Sequence, residues 1–136
     1  MKNQHTATLA GYEIPRLGMG TMALAIEGRP TNRNQAIETI HAALDAGVRY
    51  LDTAWSYYLP SKPGTGEPED MGYGEYLVRD ALNSWHGPKD EVLVATKTGW
   101  LRTLDNHGNY SWQADARPET MIANAKESAR DRKSVV

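Results

Sequence analysis

Two short apolar runs, each closed by a charged side chain, constrain this chain more than any other feature. The first, Val48-Arg49-Tyr50-Leu51, ends in Asp52, and Tyr57 follows five residues later. The second, Val92-Leu93-Val94-Ala95-Thr96, ends in Lys97. Both read as strands, and a stretch of helical periodicity separates them. In a barrel of alternating strands and helices, chemistry is done just past the C-terminal ends of the strands. If both runs belong to one parallel barrel, an acid, a phenol and an ammonium converge on one mouth.

The rest of the chain fits that alternation. Thr6 to Leu9 and Tyr12 to Ile14 flank Ala10-Gly11, which predicts an N-terminal hairpin with glycine in the tight turn. Leu17-Gly18-Met19-Gly20-Thr21-Met22 predicts the first barrel strand, its glycines allowing a backbone or ligand to come close. Ala23 to Thr31 predicts a loop. From Gln35 to Ala46, Ala36, Ile37, Ile40, Ala43 and Leu44 fall at helical spacing, with Asn32 or Asn34 as the cap and Gly47 as the stop. Tyr58 to Tyr73 carries Pro60, Pro63, Gly64, Gly66, Pro68 and Gly72 and predicts a long loop overhanging the mouth. A helix over Gly74 to Trp85 follows, with Leu77, Val78, Ala81, Leu82 and Trp85 as its apolar stripe, and the third strand begins at Glu91. Thr98 to Ala114 predicts a second long loop holding Trp100 and Trp112. Arg117-Pro118-Glu119 opens a third helix whose apolar face is Met121, Ile122, Ala125 and Ala129. His41 and His86 read as helix-surface and helix-end residues, and His107 as a loop residue.

Each chemical group has a plainer use. A carboxylate at Asp52 can cap a turn, a strand-end lysine such as Lys97 usually faces water, and a G-x-G at Gly18 and Gly20 can serve packing alone. The constellation carries more weight than its members. The D-T-A-x-x-Y run at Asp52 to Tyr57, A-G-V-R-Y-L at Ala46 to Leu51, A-T-K at Ala95 to Lys97 and L-G-M-G-T-M at Leu17 to Met22 resemble the aldo-keto reductase family, in its order and at compatible spacing. The resemblance implies an α/β fold, the N-terminal part of a (β/α)8 TIM barrel with an N-terminal β-hairpin. It implies reduction of a small-molecule aldehyde or ketone with NADPH, NAD not being excluded. By resemblance Asp52, Tyr57 and Lys97 are catalytic, and Gly20, Thr21, Met22 and Asp52 lie at the cofactor. A phenol has an ordinary pKa of about 10; an ammonium beside it favours the phenolate. Lys97 would do this to Tyr57, with Asp52 holding Lys97 charged. The chain departs from the family at Tyr58, which stands where many members have glycine, and in the histidine of the family's tetrad, which has no counterpart.

At 136 residues the chain is too short for a whole barrel of roughly 250. The family pattern continues through Glu127-Ser128-Ala129-Arg130 and then breaks. Asp131 to Val136 can be back-translated as GAT CGG AAG AGC GTC GTG, a run in which TAG would come next and which matches a short-read sequencing adapter; the alternative is a coincidental short tail on a real truncation. The expected organisation is therefore an incomplete aldo-keto reductase barrel domain at residues 1–130 and an adapter-derived tail at 131–136. Such a partial barrel would expose strand edges and apolar surface and would be inactive and poorly soluble by itself. A net charge of −2 with scattered Lys and Arg argues against nucleic acid. The absence of cysteine excludes disulfides and thiolate metal sites, and no metal is expected. No signal peptide or membrane span is legible, so the expected location is the cytoplasm. The alternative function is a non-catalytic binding module on the same fold, as in the aldo-keto-like β subunits of potassium channels.

Overall fold

The computed structural model describes residues 5–26, 32–57, 71–104, 106–107 and 110–131. The N-terminal hairpin pairs β1 (Thr6–Leu9) with β2 (Tyr12–Pro15) in antiparallel register. Its two central turn residues, Ala10 and Gly11, have φ of 50° and 84°. Positive φ at both positions is the backbone of a two-residue turn whose twist matches that of the strands.

The two apolar runs lie side by side, as their spacing predicted. Strands β3 (Met19–Gly20), β4 (Tyr50–Asp52) and β5 (Leu93–Ala95) form a parallel sheet in that order. The register sets Gly20 opposite Asp52, and Asp52 opposite Ala95. All three strands therefore end level with one another, on one rim. Helix α1 (Arg33–Asp45) connects β3 to β4, and α2 (Tyr73–Ser84) connects β4 to β5. Parallel neighbours require such crossovers. The arrangement is α/β, with the alternation expected of the opening portion of a (β/α)8 barrel preceded by a hairpin.

Asn32, of the two candidates, caps α1: its Oδ1 accepts the backbone N–H of Asn34 at 3.0 Å and of Gln35 at 3.2 Å. Ala36, Ile40 and Leu44, one helical turn apart, are buried. They meet Leu77, Val78, Ala81 and Leu82 of α2 over Leu51 and Val94 of the sheet and Val92 just before β5. Each buried Leu or Ile contributes about 1.5–3 kcal/mol by leaving water. Polar contacts close the edges of the helix pair. The Trp85 indole donates to Asp45 Oδ1 at 2.8 Å, His41 Nε2 lies 2.8 Å from the Ala81 carbonyl oxygen, and Arg33 pairs with Asp80. His41 is thus a packing residue.

The strands are shorter than the apolar runs. The first is two residues rather than Leu17 to Met22, because the Thr21 N–H and hydroxyl both bond to the Asp52 carbonyl and the chain then coils through a 3-10 turn at Met22–Leu24. Leu17 stays 79% exposed. The third begins at Leu93 instead of Glu91, since Lys89–Glu91 is a 3-10 turn. The segment expected to be a loop at Thr98 to Ala114 is a second hairpin, β6 (Trp100–Leu104) paired with β7 (Tyr110–Ala114). Helix α3 (Pro118–Asp131) follows, as expected. Its supposed apolar face is solvent-exposed at Met121, Ile122, Ala125 and Ala129, and its buried residues are Asn124 and Ser128. The expected loop residues 27–31 and 58–70, and residues 132–136 of the tail, lie outside the described residues.

Candidate active site

Hydrogen bonding between β4 and β5 continues beyond their formal ends. Thr53 N–H donates to the Ala95 carbonyl at 2.8 Å, and Trp55 N–H to the Lys97 carbonyl at 3.0 Å. This zipper carries Asp52 and Lys97 off the sheet as immediate neighbours. On the other side of Asp52, Thr21 grips its carbonyl through N–H at 2.9 Å and Oγ1 at 3.0 Å. The three strands thus fix the backbone of Asp52 from both flanks.

The Lys97 ammonium then donates to Asp52 Oδ1 and, at 2.7 Å, to the Thr53 carbonyl. It stands 5.1 Å from the centroid of the Tyr57 ring. Partial burial opposes its charge, but hydrogen bonds with Asp52 and Tyr57 outweigh that and raise the Lys97 pKa above its ordinary 10.5. Lys97 is therefore a cation across the neutral range. Tyr57 is set by backbone contacts, its N–H donating to the Ala54 carbonyl and its own carbonyl accepting from Gly74 N–H, both at 3.2 Å. Of the residues singled out in the sequence, Asp52, Tyr57 and Lys97 come together.

The other three divide. Met22 lines a cleft of about 440 Å³ with Tyr57, Lys97, Ser56, Trp100 and Trp112. Gly20 lies on the rim beside Asp52, and a Cβ built there would meet nothing within 4 Å. Thr21 is buried, with its hydroxyl turned to Asp52. The sequence did not predict that Trp100 and Trp112 share one face. The hairpin register pairs Trp100 with Ala114 and Arg102 with Trp112, so the two indoles are diagonal neighbours on the same side. The signal was present: aromatic and β-branched residues on either side of an Asn- and Gly-containing turn. His86 and His107 are exposed and take no part in the cleft. A larger cavity of about 570 Å³, lined by His5, Pro15, Leu17, Gly47 and Val48, opens at the start of β4, away from Lys97.

Electrostatically the cleft has an apolar, aromatic wall and, among the described lining residues, one cationic corner where a phenol meets an ammonium. A group with a developing negative charge would be stabilised at that corner.

The model of the aldo/keto reductase family matches residues 16–133. The chain is 37% identical over 103 residues to the aldo-keto reductase YhdN of Bacillus subtilis, covering 73% of this chain and 27% of the relative. It is 33% identical over 95 residues to the 6-dehydroglucose reductase of Novosphingobium aromaticivorans, covering 70% and 29%. Its fold is similar to that of the glycerol dehydrogenase AKR11B4 from Gluconobacter oxydans, with a TM-score of 0.71 and 26% identity over 97% of this chain and 36% of the other. The chain thus spans between about a quarter and two fifths of the length of the proteins it matches.

Proposed function

The chain belongs to the aldo/keto reductase family, and on that premise we propose that it supplies the proton-donating corner of an NADPH-dependent oxidoreductase acting on small aldehydes or ketones. The observation that carries this reading is the Lys97 ammonium, paired with Asp52 and set against Tyr57 at the edge of an aromatic cleft. A cytoplasmic location is part of this proposal and rests on the family alone; separately, no described helix is long and apolar enough to cross a membrane.

A nicotinamide ring fits the residues present. The apolar wall of Met22, in a cleft of ordinary ligand size, and the open space beside Gly20 on the rim would hold it. The bound cofactor would supply the hydride for the carbonyl carbon. Everything else in the step belongs to the chain. The carbonyl oxygen of the substrate takes its proton from the Tyr57 hydroxyl. Lys97 stabilises the negative charge that this leaves on the phenol oxygen, and Asp52 and the Thr53 carbonyl hold Lys97 in place. Trp100 and Trp112 supply the apolar side of the cleft. Nothing in this corner favours the non-catalytic alternative.

The test is NADPH-linked reduction of a panel of small aldehydes, ketones and aldoses by a complete barrel that contains residues 16–133. Sugars belong in the panel because a 6-dehydroglucose reductase is among the relatives. Tyr57→Phe keeps the ring and removes the proton, so kcat should fall by roughly 10²–10⁴ with KM little changed. Unaltered turnover in Tyr57→Phe would remove the phenol from the mechanism.

A further inference from the structure

Glu75 has no role in the step described above, yet it is fully buried, at 0% exposure, in the first turn of α2. Its spacing to Val78 and Leu82 puts it on the core face of that helix. A carboxyl group survives in such a place only when hydrogen-bonded. Its Oε1 accepts from the Thr96 hydroxyl and, at 2.9 Å, from the buried Ser128 hydroxyl of α3. Thr96 is the residue immediately before Lys97. One oxygen atom therefore ties α2 and α3 to the rim of the sheet at the cation.

The same turn of α2 touches the phenol. Gly74 N–H donates to the Tyr57 carbonyl, and a Cβ built on Gly74 would lie 2.8 Å from Tyr57 Cβ and 2.9 Å from Thr53 Oγ1. Successive residues of one helical turn thus reach both partners, Gly74 bearing on Tyr57 and Glu75 on the segment that carries Lys97.

We infer that Glu75 is a positioning residue: through the Thr96 hydroxyl it fixes the backbone of Lys97, and with Gly74 it sets the separation of ammonium and phenol. The inference rests on reading Tyr57 and Lys97 as the reacting corner. An apolar side chain at residue 75 would fill the same space but offer Thr96 no acceptor. The rim would then be free to shift, and Lys97 would lose its fixed geometry toward Asp52.

Competitive acetylation of the whole 136-residue chain separates this from mere helix packing. Acetic anhydride at mildly alkaline pH reads the reactivity of the Lys97 amine against that of the exposed Lys126 on the same chain. Thr96→Val keeps the shape and deletes the donor. It should raise the relative reactivity of Lys97 about threefold, because an ammonium less firmly held against Asp52 gives up its proton more readily. Thr96→Ser and Glu75→Gln, which keep a donor and an acceptor, should return it to the wild-type value. Ser128→Ala loosens α3 and should lower the melting temperature while leaving Lys97 reactivity unchanged. If Thr96→Val leaves Lys97 unmoved, or Ser128→Ala raises it equally, Glu75 is only packing. Because labelling needs neither substrate nor cofactor, a barrel that fails to reduce carbonyls would refute the reductase reading and leave this result standing.

Discussion

Lys97 and Asp52 expose 47% and 36% of their side chains, and ion pairs in such water-accessible positions contribute about 0–1 kcal/mol to stability. The pair is therefore worth little to the fold. Lys97→Met should change unfolding free energy by less than about 1 kcal/mol while lowering turnover of a complete barrel by roughly two orders of magnitude or more. Parallel denaturant titrations and initial rates check the contrast; equal losses in both would make the pair structural. The pH dependence follows from the direction of the shift. The Lys97 pKa is raised above 10.5, so its contribution is whole below 10.5 and is lost only as pH rises through the higher folded value. An amide chemical-shift titration of Thr53, whose carbonyl accepts from Lys97, should be flat through the neutral range and bend only in strongly alkaline solution where this group is concerned. At this scale the sequence was informative for a physical reason. Asp52, Tyr57 and Lys97 sit at strand ends, where residue type and position together restrict their use. Glu75 was not legible, because a glutamate in a helix is ordinarily a solvated one and only the packing of Ser128 and Thr96 over it shows otherwise.

Helix α2 begins where there is no room for a side chain. Replacing glycine by alanine inside an exposed helix gains up to about 1 kcal/mol, but at Gly74 the added methyl meets Tyr57 Cβ at 2.8 Å and Thr53 Oγ1 at 2.9 Å. Overpacking of that kind costs about 1–3 kcal/mol, so the clash wins. Gly74→Ala should lower stability in a denaturant titration, and in a complete barrel should also reduce kcat by displacing the phenol. A stabilised Gly74→Ala would mean the α2 turn moves away freely. Helix α3 begins on a different device. Asp115 N–H donates to the Gly99 carbonyl at 2.9 Å, closing the β6–β7 hairpin, while its carboxylate accepts from Arg117 N–H and guanidinium and from the Thr120 hydroxyl. The guanidinium, above all, holds the Asp115 carboxyl well below the usual carboxylate range. Its contribution is thus present above 3.8 and lost only as pH falls below that through the lowered folded value. The protection factor for amide exchange at Met121, which bonds to the Arg117 carbonyl, should be constant from neutrality down to about pH 4. Asp115→Asn should lower it throughout that range. Sequence pattern located these helices within a residue or two because caps and prolines punctuate them. It passed over the hairpin between them because that segment lacks strict alternation of apolar and polar residues and its turn resembles an ordinary loop.

The whole molecule shows where periodicity stops being sufficient. Helix pattern identified the stripe of α3 correctly as apolar, but burial is a property of neighbours, and in the described residues nothing covers Met121 and Ile122, 39% and 53% exposed. The same holds at the other end of the sheet, where Leu17 is 79% exposed. The α1–α2 stripes were read equally from spacing and are buried, because each supplies the other's partner. The parallel sheet adds a second adhesive feature: β3 and β5 each pair with β4 only, among the described residues, so each keeps an open edge. Exposed apolar patches and unpaired strand edges both favour association between copies. The expected behaviour of the 136-residue chain is thus concentration-dependent self-association in sedimentation velocity. Met121→Glu with Ile122→Lys should shift the distribution toward monomer. Because both side chains are exposed, each change should alter stability by less than about 0.5 kcal/mol. A wild-type chain that stays monomeric at every concentration would show that the α3 stripe is not adhesive. A variant that associates as strongly as the wild type would move the contact to the sheet edges, where a charge on the rim of β3 or β5 becomes the informative substitution.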